Sequence, residues 1–93
     1  MDSTEARDLL GKQIDHLRRL SYAELRARVE QSETNEISGP SGTTYQLQVQ
    51  VFWDGRKDEN LRVIANIDDG GWRAFAPLGE SFIMTPDGSF VGE

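Results

Sequence analysis

The chain of 93 residues has no cysteine and a single histidine. Without cysteine there is no disulfide and no thiolate metal site, so stability must come from packing. A reducing compartment suits such a chain. No apolar run approaches the ~20 residues that a membrane helix needs. The leading Met1-Asp2-Ser3-Thr4-Glu5 is acidic and polar, with no basic stretch ahead of an apolar one, which speaks against a signal peptide. The expected location is the cytoplasm, with no membrane partner.

Basic side chains are also scarce, at 10 against 16 acidic ones, which gives a net charge of −6. Residues 1–31 are balanced, so residues 32–93 carry the whole excess. A net negative domain repels a phosphate backbone at long range, so nucleic acid is disfavoured as a ligand. The apolar content of 37%, with four Phe, two Trp and two Tyr, supplies one modest core. A single domain over 1–93 is expected, since no linker divides the chain.

The first third has helical spacing. Ala6, Leu9, Leu10, Gln13, Ile14, Leu17 and Leu20 fall on one stripe, which predicts a helix over about 4–19. Asp2 and Glu5 suggest a weak capping box at its start. Ser21 with Glu24 is a second, stronger start signal, and Leu20 with Leu25 makes the matching hydrophobic staple. A second helix is expected over about 22–32, after a bend at Leu20-Ser21. Acid-first pairs four residues apart, Asp8–Lys12, Asp15–Arg19 and Glu24–Arg28, read as a solvated helical face.

From Glu36 onward the apolar period is two. Tyr45, Leu47, Val49, Val51 and Trp53 alternate with polar residues, as do Leu61, Val63, Ala65 and Ile67. Facing Trp53 with Leu61 puts Val51 opposite Val63 and Leu47 opposite Ile67, all on one side of a sheet. Asp69-Gly70 is a favoured two-residue hairpin turn; it would pair Ile67 with Trp72, Ala65 with Ala74 and Val63 with Ala76. Gly39-Pro40-Ser41-Gly42-Thr43 and Thr85-Pro86-Asp87-Gly88-Ser89 echo each other in turn chemistry. Each suits a three-residue hairpin loop, pairing Ile37 with Tyr45, Met84 with Phe90 and Ile83 with Val91. Residues 33–36 read as a connection. The predicted fold is α+β, two N-terminal helices packed on an antiparallel meander of five or six strands over about 36–92.

Gly39-Pro-Ser-Gly-Thr-Thr-Tyr through Val51-Phe-Trp-Asp, then Asn60-Leu-Arg-Val, Asp68-Asp-Gly-Gly-Trp-Arg-Ala-Phe and Pro86-Asp-Gly-Ser-Phe-Val-Gly-Glu, resemble a family of small bacterial proteins of no known activity. The resemblance covers about residues 36–93. It implies a bacterial source and a compact domain, and it carries no functional residues.

No catalytic, cofactor-binding or metal-binding constellation stands out. His16 lies on the rim of the first helical stripe without an oriented partner, and a general base needs one. Asp54, Asp58 and Glu59 occupy one loop and Asp68 and Asp69 another, at opposite ends of a strand, so they do not converge on one ion. Gly70-Gly71 precedes a strand and offers no helix N-terminus to a phosphate. The second sheet face is the candidate site. There Gln50, Ile64 and Phe75 would form one row, with Phe52, Arg62 and Arg73 beside it, and a solvated face has no need of these apolar residues. Three readings compete: the terminal hairpin with Phe82, Met84 and Phe90 folds back over the patch, the patch binds a protein partner or a second copy of the chain, or it stacks nucleic-acid bases. The expected function is a non-catalytic interaction module of the bacterial cytoplasm, a binding or inhibitory partner of the class of immunity proteins and antitoxins. The alternative is a small-molecule or single-stranded nucleic-acid binder on the same face.

Overall fold

A computed structural model of the chain describes residues 3–70 and 78–93. Helix α1 (Ser3–Arg18) leads into a single helical turn, α2 (Tyr22–Arg26), followed by strands β1 (Ser32–Ser38), β2 (Thr44–Trp53), β3 (Leu61–Asp68) and β4 (Leu78–Met84). The strands form an antiparallel meander in the order β1-β2-β3-β4. The fold is thus α+β, a helix against a four-stranded antiparallel sheet. The expected five or six strands and a second helix running to about residue 32 are not found among the described residues.

Helix α1 forms where the stripe predicts it and buries Ala6, Leu10, Ile14 and Leu17 against β3 and β4. Ser21 then breaks the helix with extended backbone, and its hydroxyl accepts the Glu24 N–H at 3.1 Å, the cap that the sequence signals. Helix α2 stops at Arg26 because Leu25 is its only buried residue. Beyond it the next large apolar residue, Val29, bridges Val51 of β2 instead of extending the helix. Of the charge pairs, Asp8–Lys12 forms at 3.3 Å, whereas Arg28 turns away from Glu24 to Glu33 at 3.8 Å.

The register between β2 and β3 follows the alternation: Trp53 opposes Leu61, Val51 opposes Val63 and Leu47 opposes Ile67. Ile37 opposes Tyr45 across the first hairpin, and Met84 bridges Phe90, with the Val91 N–H on the Ile83 carbonyl. The two echoing turns close alike. Gly39 N–H donates to the Thr43 carbonyl and Gly42 N–H to Gly39; Thr85 donates to Ser89 and Gly88 to Thr85. Gly42 and Gly88 both sit at φ 88°, the left-handed corner of these loops that glycine occupies without strain. In the second turn the Asp87 carboxylate accepts the Thr85 hydroxyl and the Ser89 N–H, which holds its pKa down at about 2.

Two expectations are overturned. Residues 33–36 are not a connection but the middle of β1, paired from Ser32 with Gln50 to Ser38 with Thr44. Their polar, non-alternating sequence hides the strand, because β1 is held by the backbone ladder of β2 and every residue of it except Ile37 is exposed. The second neighbour of β3 is β4 and not 72–76: Val63 opposes Phe82, Ala65 opposes Glu80 and Ile67 opposes Leu78. With β2 and β4 on its two edges, β3 has none left for the pairings Ile67–Trp72, Ala65–Ala74 and Val63–Ala76. Residues 72–76 themselves lie outside the described residues.

The core is one layer between the helices and one sheet face. Tyr45, Leu47, Val49, Val51, Leu61, Val63, Ala65, Ile67, Phe82 and Met84 meet Ala6, Leu10, Ile14, Leu17 and Leu25 there. Glu5 ties the two layers at the edge; Asp2, its partner in the expected capping box, lies outside the described residues. Its carboxylate accepts the Ser41 hydroxyl at 2.7 Å, the Ser41 N–H at 3.0 Å and the hydroxyl of buried Tyr45 at 2.8 Å. Gly39 permits this approach, since a Cβ there would collide with the Glu5 carboxylate. The bonds from the Ser41 and Tyr45 hydroxyls hold the Glu5 pKa below its ordinary 4.5. A carboxylate depressed on folding stabilises the fold above its unfolded pKa, and that contribution is lost as pH falls through the folded value. Glu5→Gln is therefore expected to lower the melting temperature near neutral pH and to flatten its fall between about pH 5 and pH 3. Parallel melting curves for the two proteins across that range would show that this latch contributes nothing.

Candidate interaction face

Alternation along the strands sends every second residue to the face that the helices do not cover. Four cross-strand rows result from the register. Phe52, Arg62 and Ile83 form the first. Gln50, Ile64 and Ser81 form the second, with Ser32 at its end. Gln48, Asn66 and Gly79 continue with Thr34, and Gln46 and Asp68 with Glu36. Phe52 is 41% exposed, while Ile64 and Ile83 are half-buried beside it. An apolar strip thus crosses β2, β3 and β4 inside a frame of amides and hydroxyls. The frame is partly knit together: the Gln48 amide donates to Ser32 Oγ at 3.2 Å, and the Gln46 amide donates to Glu36 at 3.3 Å.

Of the five candidate residues, the structure brings Phe52, Arg62 and Ile64 together on this face. Arg73 and Phe75 lie outside the described residues. The expected row Gln50–Ile64–Phe75 is corrected to Gln50–Ile64–Ser81, since β4 occupies that position. The terminal hairpin does not cover the strip. Phe82 and Met84 point into the core and Phe90 packs against it, while Ile83 and, opposite it, exposed Val91 lie on the uncovered side. Arg62 is not a free cation: its guanidinium donates to Asp54 Oδ1 through two nitrogens, at 2.9 and 3.2 Å.

Two further cations, Arg26 and Arg18, are partnered within the fold. Arg26 donates to Asp58, with Nε at 2.9 Å, and lies 5.8 Å above the Trp53 ring; the bonds to Asp58 raise its pKa. The Tyr22 hydroxyl donates to the Glu59 carbonyl at 2.6 Å, so α2 pins the loop after β2. An open groove beside this cluster is lined by Arg26, Val29, Glu30, Trp53, Gly55 and Lys57. At the far end of α1, Arg18 donates bidentately to Glu93 at 2.6 and 2.7 Å and stacks 4.7 Å from Phe90 and 5.4 Å from Phe82. The Glu93 carboxylate raises the Arg18 pKa. This clamp is not legible from the sequence, because nothing local relates Arg18 to a residue 75 positions away.

Among the described residues no three His, Asp or Glu side chains gather in a way that would hold a metal ion. His16 is exposed on α1. No helix of the described residues is long and apolar enough to cross a membrane. Comparison with protein-family models, curated proteins and solved structures finds no match to this chain. The resemblance of residues 36–93 to small bacterial proteins therefore assigns no family.

Proposed function

We propose that this chain is a non-catalytic protein-interaction module of the bacterial cytoplasm, binding or inhibiting a partner protein through the uncovered sheet face. The observation that supports this reading is the exposure of Phe52, at 41%, at the head of a strip shared with Ile64 and Ile83. An apolar centre rimmed by polar groups is the ordinary anatomy of a protein contact. The rim here is Gln50, Ser81, Asn66 and the Arg62–Asp54 pair. Electrostatics favour protein over nucleic acid as partner. Arg62 is neutralised by Asp54, while Glu36 and Asp68 add negative charge to the same face.

Phe52→Ser tests the reading. A large side chain that is already substantially exposed has little packing to lose, so the expected cost in stability is under about 1 kcal/mol. Partner capture from a bacterial lysate is expected to fall at least about tenfold, as for an aromatic anchor at the centre of an interface. Urea unfolding and affinity capture, run together, separate the outcomes. A destabilisation of about 3 kcal/mol or more would make Phe52 part of a second core. Unchanged capture would remove the strip from the function.

A further inference from the structure

The outer edge of β1 carries an inference that goes beyond the uncovered face. Helices α1 and α2 pack over β3 and β4, and β1 projects past them with both its faces in solvent apart from half-buried Ile37. Among the described residues no strand pairs with its outer edge. The directions of its backbone groups follow from the adjoining hairpin. Gly39 bonds to Thr43 and Gly42, so Gly39 directs its N–H and C=O toward β2. Alternation then directs those of Ile37, Asn35 and Glu33 the same way and turns those of Ser38, Glu36, Thr34 and Ser32 outward. The Val51 carbonyl, directed to the β1 side by the same alternation, accepts the Glu30 N–H at 3.2 Å, as this assignment requires.

An exposed edge invites a strand, and charged side chains restrict which strand it accepts. Here the restriction selects the edge itself. In an antiparallel pair, residues facing each other direct their backbone groups alike, so an outward residue of one copy can face only an outward residue of the other. Glu33 therefore never faces Glu36. The register that overlaps all of β1 sets Ser32 against Ser38, Glu33 against Ile37, Thr34 against Glu36, and Asn35 against its own copy. Sliding the copies one way sets Glu36 against Glu36. Sliding them the other way reaches into Glu30, whose φ of 67° takes it out of the strand. One register thus combines full overlap with no facing pair of like charge.

We propose that β1 pairs with β1 of a second copy in this register, joining two four-stranded sheets into one continuous sheet about a two-fold axis at Asn35. Such an edge contact is smaller than the ~1,600 Å² of a standard interface, and each copy has a charge of −6. The association is accordingly weak, with a dissociation constant in about the micromolar range, and strengthens with salt.

Hydrogen exchange of the full chain at rising concentration reads the pairing residue by residue. The amides of Ser32, Thr34, Glu36 and Ser38 gain protection with concentration, while those of Glu33, Asn35 and Ile37 are protected throughout. Thr34→Lys sets an ammonium against Glu36 of the other copy twice in the dimer, so sedimentation should show association tightened roughly tenfold. Thr34→Pro removes an outward N–H without touching the ladder to β2; it should abolish association and leave the circular dichroism unchanged. Phe52→Ser should leave association as it is. The proposal is overturned if wild type and Thr34→Lys are both monomeric with fast exchange at the outward amides. Weaker association of Thr34→Lys, or protection gained on β4 instead, would overturn it equally.

Discussion

Val51→Asp is expected to leave the chain unfolded, and Gln50→Asp to leave it folded. Val51 is 1% exposed in the middle of the core layer, between Val63 on β3 and the Val29 backbone on the other side. Its neighbour Gln50 lies on the uncovered face between Ser32 and Ile64. An aspartate at 51 has no cationic or donor group of the core to meet, and burying a carboxylate without a partner costs several kcal/mol. The whole stability of a domain of this size is roughly 5–15 kcal/mol. At position 50 the carboxylate remains in water, and the loss is limited to strand propensity, under about 1 kcal/mol. Far-ultraviolet circular dichroism with urea unfolding decides the matter. Equal behaviour of the two variants would displace the register of β2 by one residue and move every side chain of the candidate face into the core.

Leu25→Ala has the second largest expected effect, a loss of about 2–5 kcal/mol. A helix of five residues has no stability of its own, so α2 stands on what it buries. Leu25 is its only fully buried side chain, with Tyr22 half-buried against the same core. The remaining attachments of α2 lie at the surface: the Ser21 cap, the Tyr22–Glu59 hydrogen bond and the Arg26–Asp58 ion pair. Exposed ion pairs contribute little in water, so Arg26→Ala should change the urea midpoint far less than Leu25→Ala. If Arg26→Ala were the more damaging, α2 would be held by its contacts to the loop after β2 and not by burial.

Features with a short-range physical cause were legible in the chain. The stripe of α1, the Ser21 cap, the two glycine-cornered turns and the pairing of β2 with β3 each depend on side chains a few residues apart or on one continuous alternation. The three candidate residues on β2 and β3, Phe52, Arg62 and Ile64, were placed on one face by that alternation alone, and the structure keeps them there. Glu24–Arg28 and Val29 continue a helical pattern in the sequence, but Val29 leaves the helix and bridges Val51 of β2 against the core. The clamp of Arg18 on Glu93, Phe82 and Phe90, and the grip of Glu5 on Ser41 and Tyr45, join parts of the chain that no local rule relates.

What tertiary structure decided is which strand occupies each edge. Asp69-Gly70 is a sound turn signal, and Gly70 does take a left-handed φ of 80°, with its N–H on the Asp68 side chain at 2.7 Å. Yet the edge of β3 goes to β4. That choice sets Phe82 beside Val63, Met84 beside Leu61 and Leu78 beside Ile67, where the expected pairing set Ala76 beside Val63 and Trp72 beside Ile67. Burying Phe82 and Met84 in the layer under α1 contributes several kcal/mol to the pairing that forms. At the opposite edge β1 forms without any apolar alternation, because β2 presents a ladder that backbone alone can complete. Alternation in the sequence sorts residues between the two faces of a sheet. Neighbours across its edges are chosen by total burial and by unpaired backbone groups, and those exist only once the sheet is assembled.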